Sequence, residues 1–274
     1  MFGPRLASGI VLIIIALATM SFGGWALAGI LLAISLVGYR ELTKALNAAD
    51  KGGKFNLLEY AGFVGIILYY AAVYFSGDST LLLMCIVGMF MVQMLLYVVT
   101  FPKFQAMQVV SSFFSFVYAP VMLSFVYLTR ATNQGIYMVW LILISSWGCD
   151  TCAYVVGKLI GKKKIFPVLS PKKSLEGCIG GVLGAALIGG LYGHFFVEAA
   201  FPDQTVKWLL ALICALGAVM SQVGDLAASA IKRNHNIKDY GTLIPGHGGI
   251  MDRFDSMIVT APMTYFLSIL LLKL

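Results

Sequence analysis

Acidic, basic and glycine residues crowd residues 229–255 of a chain that is otherwise strongly apolar. In order they are Ser229, Lys232, Arg233, Lys238, Asp239, His247, Gly248, Gly249, Asp252, Arg253 and Asp255. A second concentration runs from Asp150 through Lys158, Lys162, Lys163 and Lys164 to Lys172, Lys173 and Glu176. Asp225 stands between the two. Carboxylates mixed with Lys, Arg and closely spaced glycines describe a site for phosphate groups and a divalent metal. Mg2+ is held by one or two carboxylates and completes its shell with phosphate oxygens and water. Gly246, Gly248 and Gly249 let the backbone approach a ligand closely, and successive N–H groups form an anion nest. A helix starting between Gly249 and Asp252 would add its N-terminus, which also favours anions.

The elements that must position these residues are membrane helices. Of 274 residues, 60% are hydrophobic and 11% charged. A soluble domain carries about 25% charged residues, so the chain reads as a polytopic membrane protein. A spanning helix needs roughly 20 mostly apolar residues. On that rule an all-α protein of about nine transmembrane helices is expected, at 6–22, 24–46, 58–76, 79–99, 111–129, 136–157, 177–197, 207–229 and 250–272. The first is expected to be a retained helix, because no small-residue cleavage motif follows it. Residues 1–135 then hold about five N-terminal helices, and 136–274 a catalytic region of about four helices with two basic loops. Those loops run over about 158–176 and 230–249. The glycines between Gly180 and Gly193 are expected to serve tight helix packing.

With a cytoplasmic N-terminus, 16 of the 19 Lys and Arg fall inside, leaving Arg130, Lys207 and Lys273 outside. That asymmetry follows the positive-inside rule and accounts for the net charge of +7 without a nucleic-acid partner. Five cysteines show no paired spacing, so no disulfide framework is expected. Cys149 and Cys152 form a C-x-x-C inside a membrane helix, where neither redox nor zinc chemistry is expected.

Asp150, Asp225, Asp252 and Asp255 fall within predicted spans, toward the cytoplasmic ends. A carboxylate there costs several kcal/mol on insertion scales (about 3 for Asp), so it marks function. Residues three or four apart share a helix face. Ser146, Asp150 and Tyr154 form one stripe, Gln222, Asp225, Ser229 and Lys232 another, and Asp252, Asp255 and Ser256 a third. Three stripes describe a polar cleft facing the cytoplasm. The plainer reading pairs each Asp with a Lys or Arg merely to hold helices together. Four such acids beneath basic loops fit that reading less well.

Residues 229–255 resemble the signature of the phosphatidate cytidylyltransferases, from Ser229, Lys232 and Arg233 through Lys238, Asp239, Gly241, Pro245, Gly246, His247, Gly248 and Gly249 to Asp252, Arg253 and Asp255. Trp147, Asp150, Ala153, Tyr154, Gly157 and Gly161 are similar to the family's Trp–Asp–Ala–Tyr helix. Pro167, Ser170, Pro171, Lys172, Lys173, Glu176 and Gly177 are similar to the loop after it. Cys152 and Ser174 replace other small residues or Thr. In residues 1–135 the likeness lies in hydropathy and in the helix end Tyr39-Arg40-Glu41.

The resemblance implies a Mg2+-dependent enzyme of the cell membrane, alone or with a second metal ion, and a homodimer. It implies that CTP and phosphatidic acid yield CDP-diacylglycerol and pyrophosphate, with Asp225 and Asp252 as metal ligands. Asp255 would support the metal or orient Arg253. Lys172, Lys173, Lys232, Arg233 and Lys238 would bind phosphates of either substrate, with Ser229, Gly248 and Gly249 beside them. Asp150, Glu176 and Asp239 would bind metal or orient the basic residues. His247 would hydrogen-bond phosphate, shape its loop or act as a base. A CTP-dependent lipid kinase has similar needs, and a transporter also carries intramembrane acids.

Overall fold

In hydrocarbon every backbone polar group needs a partner within the chain, so the apolar runs fold as helices. A computed structural model describes residues 2–50, 54–201, 206–244 and 248–273. Nine continuous helices lie among the described residues. They are α1 (Phe2–Phe22), α2 (Gly24–Ala45), α3 (Leu57–Phe75), α4 (Ser79–Val99), α5 (Ala106–Ala131), α6 (Gly135–Ile160), α7 (Leu175–Ala200), α8 (Val206–Asn234) and α9 (Met251–Leu272). The eight from α2 to α9 are long and apolar enough to cross a membrane. In α1 the apolar described stretch is Gly9–Phe22. Among the described residues outside the helices are two isolated antiparallel bridges, Lys164 with Ser174 and Ile244 with Gly248.

The chain forms two compact units, each discontinuous in sequence. One comprises Met1–Leu128 and Asn234–Phe254, the other Thr129–Arg233 and Asp255–Leu274.

In the first unit, buried hydroxyls tie the helices together. Ser35 pairs with Tyr70 at 2.8 Å, Tyr69 with Ser124 at 3.0 Å, and Tyr39 with Ser112 at 2.7 Å. Asn56 caps α3 by accepting from the Glu59 N–H at 2.9 Å, and Glu59 accepts from the Asn56 N–H at 3.0 Å. Glu59 also pairs with Arg40. Pro120 interrupts the ladder of α5 within a widened π-type turn, Val117–Val121. Its carbonyl accepts from the Tyr70 hydroxyl at 3.3 Å.

In the second unit, α6 and α7 approach along the expected glycine face. A Cβ built on Gly180 would lie 2.6 Å from Val156, and one on Gly184 would lie 2.5 Å from the Cys152 Sγ. Small residues let the two backbones meet, as the sequence pattern predicted. Ser174 caps α7 by accepting from the Gly177 N–H at 3.2 Å. Met138, Leu141, Leu210, Ile213 and Leu272 are buried together farther along.

Candidate active site

Three carboxylates of the second unit reach one neighbourhood from three helices. Asp150 lies on α6, Asp225 on α8 and Asp255 on α9. Gly224 makes the approach of α8 to α9 possible, since a Cβ there would lie 2.8 Å from the Asp255 carbonyl oxygen. The carboxylates feel one another's charge: Asp225 acts on both Asp150 and Asp255, and Asp150 acts on Asp255. Lys173 and Lys232 offset that charge, Lys173 beside Asp150 and Lys232 beside Asp255. The Lys173 Nζ lies 2.5 Å from an Asp225 oxygen.

A cavity of about 440 Å³ opens here, lined by Asp150, Tyr154, Lys164, Lys172, Lys173 and Gln222 among others. Its basic wall is the loop between α6 and α7. Glu176, on the first turn of α7, holds that loop by accepting from the Lys162 N–H at 3.0 Å and the Lys163 N–H at 3.2 Å. The Lys164 ammonium donates to the Lys172 carbonyl at 2.9 Å. Glu176 therefore orients the basic loop through its backbone.

The expected stripe Ser146–Asp150–Tyr154 is only partly present. Asp150 and Tyr154 line the cavity, but Ser146 is buried and donates to the Ile142 carbonyl at 2.7 Å. Ser146 lies within a widened turn, Ile144–Gly148. An extra residue in a turn rotates everything before it off the four-residue face. Ser229 and Lys232 are half-buried on α8, and Arg233 is exposed at its end.

The first unit carries the rest of the signature. Asp252 is buried in the first turn of α9. Its Oδ2 accepts from the Tyr240 N–H at 2.8 Å and the Gly249 N–H at 3.0 Å, so it clips the loop before it. Gly248 has φ +87°, and a Cβ there would lie 2.9 Å from that same oxygen. Asp239 neighbours Gly248, and Lys238 and Asp239 are exposed. The Arg253 Nε is buried with no hydrogen-bond partner among the described residues. His247 lies outside the described residues.

Among the described residues no three His, Cys, Asp or Glu side chains form a metal-binding group. Mg2+ does not need one, since substrate phosphates and water fill most of its shell. Hard oxygen donors in mutual repulsion, Asp150, Asp225 and Asp255, suit such an ion. All five cysteines are free thiols.

The sequence model of the cytidylyltransferase family matches residues 4–271. The chain belongs to that family. The phosphatidate cytidylyltransferase of Staphylococcus haemolyticus is 31% identical over 277 residues, covering 98% of this chain and 99% of the relative. That of Staphylococcus saprophyticus is 38% identical over 156 residues, 57% of each chain. That of Bacillus subtilis is 38% identical over 143 residues, 52% of this chain and 51% of the relative. These two matches span little more than half of their relatives, whereas the first spans nearly all. The family likeness thus reaches well beyond the C-terminal half in which the sequence motifs lie.

One acid of this family member was noted in the helix end Tyr39-Arg40-Glu41 but given no role. Glu41, 7% exposed near the end of α2, accepts from the Ile250 N–H at 3.0 Å and the Met251 N–H at 2.9 Å. It lies within the predicted span 24–46, and Glu59 lies within 58–76. The burial cost that singled out the four Asp residues applied equally to both.

Proposed function

We propose that this chain transfers the cytidylyl group of CTP to phosphatidic acid, giving CDP-diacylglycerol and pyrophosphate. The observation that carries the reading is the end-to-end likeness to the S. haemolyticus phosphatidate cytidylyltransferase. The carboxylates and lysines around Asp225 supply chemistry that fits it.

A phosphate oxygen of phosphatidic acid attacks the α-phosphorus of CTP. The bond from that phosphorus to the bridging oxygen breaks, and pyrophosphate leaves with the electron pair. A phosphate monoester has a second pKa of about 6, so the nucleophile is already ionised at neutral pH and no general base is required. Catalysis then rests on positioning and charge neutralisation. Lys172, Lys173 and Lys232 neutralise phosphate charge, joined by Arg233, Lys238 and Arg253. Asp225 and Asp252 are the proposed Mg2+ ligands. Bound Mg2+ supplies charge stabilisation on the triphosphate and the leaving pyrophosphate. Asp225, which pairs with Lys173, would hold Mg2+, and Lys173 would then neutralise a phosphate. Asp252 also holds its own loop, through Oδ2 and the Tyr240 and Gly249 N–H groups.

The 16-to-3 split of Lys and Arg supports an active site on the cytoplasmic side of the membrane. The family resemblance supports a homodimer as the working unit. Pyrophosphate release by the purified protein tests the reaction. Release that requires CTP and phosphatidic acid together supports it. Release from CTP without lipid contradicts it.

A further inference from the structure

Three consecutive residues at the end of α2 point to three different partners. The Tyr39 hydroxyl meets Ser112 of α5 at 2.7 Å and the Leu58 carbonyl at 3.3 Å. The Arg40 guanidinium pairs with Glu59 of α3 and sits 4.5 Å from the centre of the Phe55 ring. Successive side chains on a helix are about 100° apart, so Glu41 is directed to a third side. There its two oxygens take the N–H groups of Ile250 and Met251 separately. Those are the N–H groups of the residue before α9 and of its first residue, which have no partner within the helix.

The fit around this carboxylate is close on every side. A Cβ on Gly249 would lie 2.5 Å from both Glu41 oxygens, and one on Gly241 would overlap Glu41 as well. A Cβ on Gly38 would lie 3.0 Å from the Met251 Sδ, so α2 and the start of α9 pack tightly. Glu41 runs through a slot bordered by two signature glycines. Asp252 closes the same loop from within, through Tyr240 and Gly249. Two carboxylates therefore hold the backbone at Tyr240 and at Gly249–Met251, one from the start of α9 itself and one from α2.

We propose that Glu41 is a positioning residue for the reaction: bound to the Ile250 and Met251 N–H groups, it sets the register of the signature loop and the aim of Asp252 and Arg253. Burying a carboxylate is costly unless hydrogen bonds satisfy it, and bonds to a charged acceptor are shorter and stronger than neutral ones. A shift of about 1 Å in reacting groups costs about 10²-fold in rate. The kinetic consequence rests on the cytidylyl-transfer reading; the structural one does not.

The test compares wild type, Glu41→Gln and Glu41→Ala in detergent, by hydrogen exchange at Ile250 and Met251 and by steady-state kinetics. Glu41→Ala should lose protection at those two amides, with kcat lowered by about 10²-fold. Its KM for CTP should change less than about threefold, because the loss falls on aligned geometry rather than on binding. Glu41→Gln keeps one acceptor oxygen and should recover about tenfold of the lost kcat. Unchanged protection at Ile250 and Met251 in the two variants would overturn the inference. So would kcat values that fall only in proportion to the folded fraction. If Glu41→Ala does not fold, Glu41→Gln decides by the same two readouts against wild type. Wild-type protein without cytidylyl transfer would instead defeat the functional reading, and the exchange result would still decide the role of Glu41.

Discussion

The Lys173 ammonium lies 2.5 Å from the Asp225 carboxylate, joining the basic loop after α6 to the acid of α8. Both side chains are largely buried, and the Lys173 Nζ itself is shielded from solvent. The pair sits beside Asp150 and Asp255, and that concentration of acids points to a role in chemistry.

Asp225→Asn should therefore leave the protein folded and lower kcat by about 10³-fold. Lys173→Met should lower it by about 10²-fold, and Lys173→Arg should restore part of that by returning a cation. Steady-state rates beside melting curves in detergent check both. Activity within a few-fold of wild type in Asp225→Asn would remove it from the site.

Asp252→Asn should also abolish turnover, by about 10³-fold, since a neutral amide is a poor Mg2+ ligand. Raising Mg2+ should not restore it. Recovery at high Mg2+ would mean that the residue tunes affinity without being required.

Gly248→Ala places a side chain at φ +87° against the Asp252 oxygen. Forcing a non-glycine residue there costs of order 1–3 kcal/mol of local strain. The expected result is at least a tenfold loss of kcat from folded protein. A wild-type rate would show that the loop tolerates displacement.

Glu176→Gln should raise the KM for CTP by about tenfold with a smaller effect on kcat. Glu176 acts on the loop backbone at Lys162 and Lys163, and misplaced lysines weaken phosphate binding in ground and transition states alike. A fall in kcat at constant KM would argue that Glu176 touches the reacting groups.

The helices were legible in the sequence because hydrocarbon imposes a length and an apolar composition on them. Predicted boundaries fell short where helices outrun their apolar stretch. Asn234 ends α8 beyond the predicted 229, because Lys232 and Arg233 continue the helix after hydropathy has fallen. The gathering of Asp150, Asp225 and Asp255 was readable from burial cost and spacing. Ser146 was misplaced because a widened turn leaves no mark in residue type. Glu41, named only as part of a helix end, had no legible role for a different reason. Its partners are backbone N–H groups 209 and 210 residues away, and every residue but proline carries one.

The most direct measurement follows which phosphorus of CTP enters lipid. Purified protein receives phosphatidic acid, Mg2+ and CTP labelled at the α or the γ position in separate reactions. Cytidylyl transfer places the α-label in the lipid phase and releases the γ-label as pyrophosphate. A γ-label in the lipid phase, with the α-label left in water, would contradict it and make the protein a kinase.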